Sequence, residues 1–204
     1  MSSVNIAGDV SGAISIAAPS AAGSGVLTLP TGTDTLIGKA TTDTLTNKSI
    51  AATQLTGTIA AAALPAGSVL QVVNATTSTY VTNSTSVYAD TGLTATITPS
   101  STSSKILVLF NQIISKSNGN SGNSVAIKIF RGATDLGIFA NGQLYNSTAS
   151  EVYGSCGSNY LDSPATISAT TYKTRFANPN NTALASCQPD SNGKSTITLM
   201  EIQG

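Results

Sequence analysis

Hydrophobic positions change their rhythm at Pro65-Ala66-Gly67. Beyond that point they come in short dense runs: Val69-Leu70-Gln71-Val72-Val73, Tyr80-Val81, Ser86-Val87-Tyr88 and Leu93 to Thr98, with Asn, Ser, Asp and Gly between them at roughly ten-residue intervals. That spacing predicts strands joined by tight turns. Pro99 to Ser104 reads as a polar turn, and Lys105-Ile106-Leu107-Val108-Leu109-Phe110 after it is apolar on both faces. A run of that kind predicts a central strand covered on each side. In an antiparallel sandwich the opposing sheet supplies one cover, and a neighbouring subunit is expected to supply the other. Val125, Ile127 and Ile129 then share a face before Arg131-Gly132-Ala133-Thr134-Asp135 turns the chain into Leu136-Gly137-Ile138-Phe139, a strong hairpin signal. Further strands are expected at residues 143–145, 165–168, 172–176 and 195–202. Eight or more short strands define an all-β fold: an antiparallel β-sandwich, jelly-roll-like by strand count, over residues 68–204.

Before the break the pattern is sparse. Residues 1–30 are rich in Gly, Ala and Ser, with room for brief strands at Ile14-Ser15-Ile16 and Val26-Leu27-Thr28-Leu29. Two short strands are marginal alone, so this arm is expected to be ordered by a partner or to stay disordered when free. Residues 31–59 are Thr-rich, and Asp34-Thr35-Leu36 recurs as Asp43-Thr44-Leu45. One apolar residue per short extended unit suits several chains packed around a common axis, and Leu36, Leu45, Ile50, Leu55 and Ile59 are the candidate trimer contacts. A flexible linker is the alternative. Ala60-Ala61-Ala62-Ala63-Leu64 predicts a single helical turn ended by Pro65, and the Pro65-Ala66-Gly67 hinge sets the boundary of the head.

Composition narrows the chemistry. Only 9% of the 204 residues are charged, against about 25% in ordinary soluble proteins. Nine basic and nine acidic residues lie scattered and balance to zero, which gives a nucleic-acid backbone no electrostatic footprint and argues against nucleic acid as a partner. No run approaches the roughly 18 apolar residues of a membrane span, and Met1-Ser2-Ser3-Val4-Asn5 lacks the basic and apolar regions of a signal peptide. Synthesis in a cytoplasm without membrane insertion is the expectation. Cys156 and Cys187 are too few for a disulfide framework and read as two reduced thiols, with one bridge between loops as the alternative.

Histidine is absent, which removes His-dependent nucleophilic catalysis and most zinc sites. No phosphate loop or dinucleotide fingerprint occurs, and Asp190-Ser191-Asn192-Gly193 reads as a turn, without the downstream ligands of a calcium loop. No catalytic residue, metal or cofactor is therefore expected. A glycan hydrolase would need two carboxylates from among Asp90, Asp135, Glu151, Asp162, Asp190 and Glu201, each of which stands alone in a turn or at a strand end. The one functional hint in the head is a Gly- and Ser-rich stretch over residues 141–163. There Asn141, Tyr145, Asn146, Tyr153, Asn159 and Tyr160 supply the aromatic faces and amides that sugar binding uses, or simply close a sandwich edge.

Gly32-Thr33-Asp34-Thr35-Leu36-Ile37-Gly38, followed by Thr41-Thr42-Asp43-Thr44-Leu45-Thr46-Asn47-Lys48-Ser49-Ile50, resembles a segment of tail-fibre and other virion structural proteins of tailed bacteriophages. Leu64 to Val73, Asp90 to Pro99 and Ser195 to Ile202 are similar to head domains of phage proteins. The resemblance implies a homotrimeric virion appendage: an anchoring arm that binds other virion proteins (1–30), an extended intertwined stalk with its hinge (31–67) and a β-sandwich head (68–204) that contacts a host-surface glycan or caps the assembly. A capsid cement or decoration protein and a small glycan depolymerase are the alternatives.

Overall fold

The structure is a computed structural model that describes residues 3–7, 13–17, 49, 57, 59–119, 121–180, 183–189 and 193–204. It divides into two units, Met1–Thr56 and Gly57–Gly204. In the first, β1 (Ser3–Ala7) pairs antiparallel with β2 (Ala13–Ala17), Val4 opposite Ile16 and Ile6 opposite Ile14. The strand expected at Ile14-Ser15-Ile16 is β2. The strand expected at residues 26–29, the repeated Asp-Thr-Leu unit and the candidate contacts Leu36, Leu45, Ile50 and Leu55 lie outside the described residues.

The second unit opens on one 3-10 turn, Ala61–Ala63, closed by extended backbone at Leu64 before Pro65. Ten strands follow: β3 (Val69–Thr77), β4 (Val81–Asn83), β5 (Ala89–Ile97), β6 (Lys105–Lys116), β7 (Asn123–Arg131), β8 (Thr134–Asn146), β9 (Val152–Asp162), β10 (Thr170–Ala177), β11 (Ala185–Cys187) and β12 (Ser195–Ile202). All pairings are antiparallel. One sheet runs β5-β10-β7-β8. In the other, β6 pairs with β9 along one edge, and along the opposite edge with β12 and then β11, which carry β3 and β4 beyond them. With the short β4 and β11 set aside, eight strands taken in chain order arrange as 1-8-3-6 facing 2-7-4-5. This is the double Greek key of a jelly roll.

Alternation along each strand builds the core. Ile106, Val108 and Phe110 of β6, Ile127 and Ile129 of β7, Tyr172 and Phe176 of β10, and Ile197 and Leu199 of β12 point between the sheets and are buried. Two polar clamps join the layers. Asp162 of β9 accepts from Arg131 Nη1 of β7 at 2.9 and 2.8 Å and from Tyr172 Oη of β10 at 2.6 Å. Deeper in, Thr91 and Thr174 hydroxyls meet at 2.6 Å, Thr174 donates to Gln112 at 2.9 Å, and Gln112 donates to Ser195 at 3.0 Å. Ser195 Oγ also accepts from Ile113 N, so its own hydrogen goes to Gln188, 2.8 Å away. A satisfied buried network of this kind rigidifies one register, because any slip strands its members without partners.

The structure moves three expected elements. Ser86-Val87-Tyr88 is not a strand: Asn83 Oδ1 accepts from Thr85 N and Thr85 Oγ1 while its amide donates to Val87 O, and the chain bends there. Residues 165–168 are not a strand either, since Ala165 sits at φ 51° and Ser168 N donates to Thr166 Oγ1. The Gly- and Ser-rich stretch, where a strand is expected only at residues 143–145, is mostly strand, the end of β8 and the whole of β9. A Cβ on Gly157 would stand 2.9 Å from the Phe110 carbonyl oxygen, so glycine there lets β9 lie close along β6.

Candidate functional site

The two sheets present outer faces of opposite chemistry. On the β6 sheet, residues between the core positions point outward. Register sets Val72, Met200, Leu107 and Leu161 side by side across β3, β12, β6 and β9. Val72 is 55% exposed and Leu161 47%, with Met200 and Leu107 half-buried between them. Toward one end lie Val69, Ile202 and Lys105; toward the other come Asn74, Thr198, Leu109 and Asn159, then Thr76, Thr196, Asn111 and Gly157. Lys105 is the one charged residue in these rows. β6 is thus central, as its doubly apolar sequence predicts. Its inner face is covered and its outer face is open to solvent in a single chain.

The outer face of β5-β10-β7-β8 carries the charges. Asp90 of β5 accepts from Lys173 Nζ at 3.0 Å and from Arg175 Nε at 2.5 Å, both on β10. Arg175 lies over the Phe130 ring at 4.7 Å, and Lys128 lies over Tyr88 at 4.6 Å while pairing with Asp135 at 2.5 Å. These contacts make a ladder across the sheet. Burial alone would push the Asp90 carboxyl up, but hydrogen bonds and charge from Arg175 and Lys173 outweigh it and hold the group below the usual carboxylate range. Asp135 is held down chiefly by its bond from Lys128.

A bulge breaks this face. Thr94 pairs with Lys173 and Asp90 with Arg175, so Thr91-Gly92-Leu93 stand against Thr174 alone. Gly92 takes φ 80°, a left-handed conformation that glycine adopts without strain. Where the strand swings away, a cavity of about 320 Å³ opens, lined by Asp90, Leu93, Thr94, Gly132, Thr171 and Lys173. Two further cavities, about 400 and 300 Å³, adjoin at the base of the head and share Ala61, Leu70 and Ser100; the smaller is lined by Ile59 and Glu201. Burial pushes the Glu201 carboxyl up, and bonds from Ser100 and Gln71 more than offset this, so it too is held low.

The six residues proposed for sugar binding do not form one loop. Asn141, Tyr145 and Asn146 lie on β8, Tyr153, Asn159 and Tyr160 on β9. Tyr160 points inward, its ring 5.1 Å from Phe139 and edge-on to it. Tyr153 and Asn159 point outward from the β6 sheet; Tyr153 donates to Glu151 and is 60% exposed. Tyr145 is exposed, and Asn146 holds the β8–β9 turn by accepting from Thr148 N and donating to Ser150 Oγ. Ile59, the described member of the stalk contacts, is 56% exposed.

The carboxylates considered for hydrolysis are dispersed. Asp90, Asp135, Glu151, Asp162 and Glu201 each accept from named donors on different elements, and Asp190 lies outside the described residues. Cys156 and Cys187 are free and buried; burial raises the Cys156 thiol to about 11 and the Cys187 thiol well above its ordinary value, which leaves both as thiols at neutral pH.

No protein-family model matches the chain, and no curated protein matches it. Among solved structures it is similar to the VP2 subviral particle of infectious bursal disease virus, at 12% identity and a TM-score of 0.33, over 66% of this chain and 38% of that one. The neighbour is a viral particle protein, and the chain spans less than two fifths of its length. A likeness this remote carries neither fold detail nor function across.

Proposed function

We propose that the chain is a structural, non-catalytic subunit of a virus particle: a homotrimeric fibre of the tailed-phage kind, anchored through residues 1–30, whose heads associate through the uncharged outer face of the β6 sheet. The observation that carries this reading is the row Val72, Met200, Leu107 and Leu161, apolar and open across four strands. An apolar row open across four strands is the kind of surface that interaction sites use. A face of four strands at about 4.8 Å spacing and some nine residues at about 3.3 Å covers roughly 600 Å², the same order as the ~800 Å² per partner of a standard interface. Lacking charge apart from Lys105, the face packs against neighbouring copies around a three-fold axis without repulsion. The residues that lead into the head adjoin the same end: Ile59 and Leu64 line a cavity with Val69 and Gln71. The fibre-like Asp-Thr-Leu repeat supports the same reading.

Labelled antibody against the head, applied to virions, tests placement. Signal at the tail supports a fibre; signal over the whole shell replaces it with a decoration protein using the same face. Release of shortened chains from host polysaccharide by the purified protein would overturn the non-catalytic assignment.

A further inference from the structure

We infer that the cavity beside the β5 bulge, on the charged face, binds one residue of an acidic polysaccharide, a sugar bearing a carboxylate. The inference rests on the host-contacting head proposed above and names the ligand class that such a head takes. Three observations converge. The cavity, at about 320 Å³, is at the small end of ligand-binding clefts and large enough for a single sugar ring. Its wall presents the hydroxyl-bearing Thr94 and Thr171 beside Gly132, with Leu93 buried behind them at 1% exposure, which suits the hydroxyl edge of a sugar ring. At its rim, Lys173 and Arg175 share the single carboxylate of Asp90, so the three groups carry one excess positive charge.

Those cations are held in place before any ligand arrives. Arg175 is pinned between Asp90 and the Phe130 ring, and Lys173 is fixed by Asp90 with its side chain still 25% exposed. Fixing them in advance reduces the ordering cost of binding. An incoming carboxylate completes the pairing on Lys173, while Asp90, about half exposed, accepts from ring hydroxyls. The bulge positions all of this: without the extra residues at Thr91-Gly92-Leu93 the strand would close over the space. Tyr145 and Tyr153, first singled out for sugar binding, stand on β8 and β9 and take no part.

Calorimetric titration of the full chain with trigalacturonate, maltotriose and acetate tests this, with chain mass measured by light scattering on the same samples. Trigalacturonate binding that weakens with added salt is expected, with no heat from acetate or maltotriose. Lys173→Gln and the cavity-filling Thr94→Phe should each weaken it by about tenfold or more, the scale of a lost charge-assisted hydrogen bond. Lys194→Gln, which removes an exposed cation that does not line the cavity, should leave it unchanged. Equal binding of maltotriose, an equal loss in Lys194→Gln, or no heat with trigalacturonate at millimolar concentration overturns the inference. Because mass is read separately, a monomer that binds and a trimer that does not are distinct failures.

Discussion

One sheet of the head turns Leu, Val and Met outward in a row, and the other turns outward Asp, Lys and Arg already paired with one another. Both faces grow from the same alternation of side chains along a strand, so the contrast is not a by-product of folding. An ion-pair ladder with cations laid on aromatic rings is complete in water and asks for no partner protein. An apolar row with Val72 and Leu161 about half exposed is incomplete in a single chain. In the proposed assembly the faces have different fates: one sequestered between copies, the other left to the solvent and to what the solvent brings.

The largest expected effect comes from charging the first face. Leu107→Asp keeps a half-buried but solvent-facing position in the single chain and buries an unpaired carboxylate in the assembly, and should reduce the particle to single chains by light scattering at micromolar concentration. Thr96→Asp on the opposite face should leave the mass unchanged, and that pair of results sharpens the comparison. Next is the clamp between the two sheets. Asp162→Ala leaves Arg131 and Tyr172 without their shared acceptor and should cost about 3–5 kcal/mol in chemical denaturation. Gly157→Ala drives a methyl against the Phe110 carbonyl and should cost about 1–3 kcal/mol by the same measurement.

Acid separates the faces by sign. Asp90 and Asp135 have folded values below the ordinary carboxylate range, so their contribution is complete above that range and is lost as pH falls through the lower folded values. The melting temperature of the assembly should therefore drop as pH is lowered from 5 through the carboxylate range and below it, while the mass of the folded fraction holds, since the β6 sheet rows carry no carboxylate. The smallest effect is Lys128→Ala, expected to cost about 1 kcal/mol or less in denaturation because its bridge to Asp135 is partly exposed.

Much of this was readable in the residues. Lys105 to Phe110 announces a strand with two apolar faces, and the Gly132 hairpin and the terminal β12 follow from turn chemistry and alternation. β9 was hidden because Gly154, Ser155, Gly157 and Ser158 have the composition of a loop, and close approach of β9 to β6 is a tertiary reason to use Gly157 there. The charged face was hidden by distance in sequence: Asp90 meets Lys173 and Arg175 across more than eighty positions, and only strand order brings them together. Alternating Thr171, Lys173 and Arg175 on one side of β10 was the available signal. The sugar-binding candidates failed to converge for a related reason. Neighbours in sequence on a strand point to opposite faces, so Asn159 faces solvent while Tyr160 packs inward on Phe139.

In the proposed assembly the uncharged face is covered by copies of the same chain. Light scattering of the full-length protein at micromolar concentration, beside Leu107→Asp, tests it most directly. Three chain masses are expected for the natural protein and one for the variant, with the variant's head still folded by circular dichroism. A single chain mass for the natural protein, or three for the variant, would contradict it.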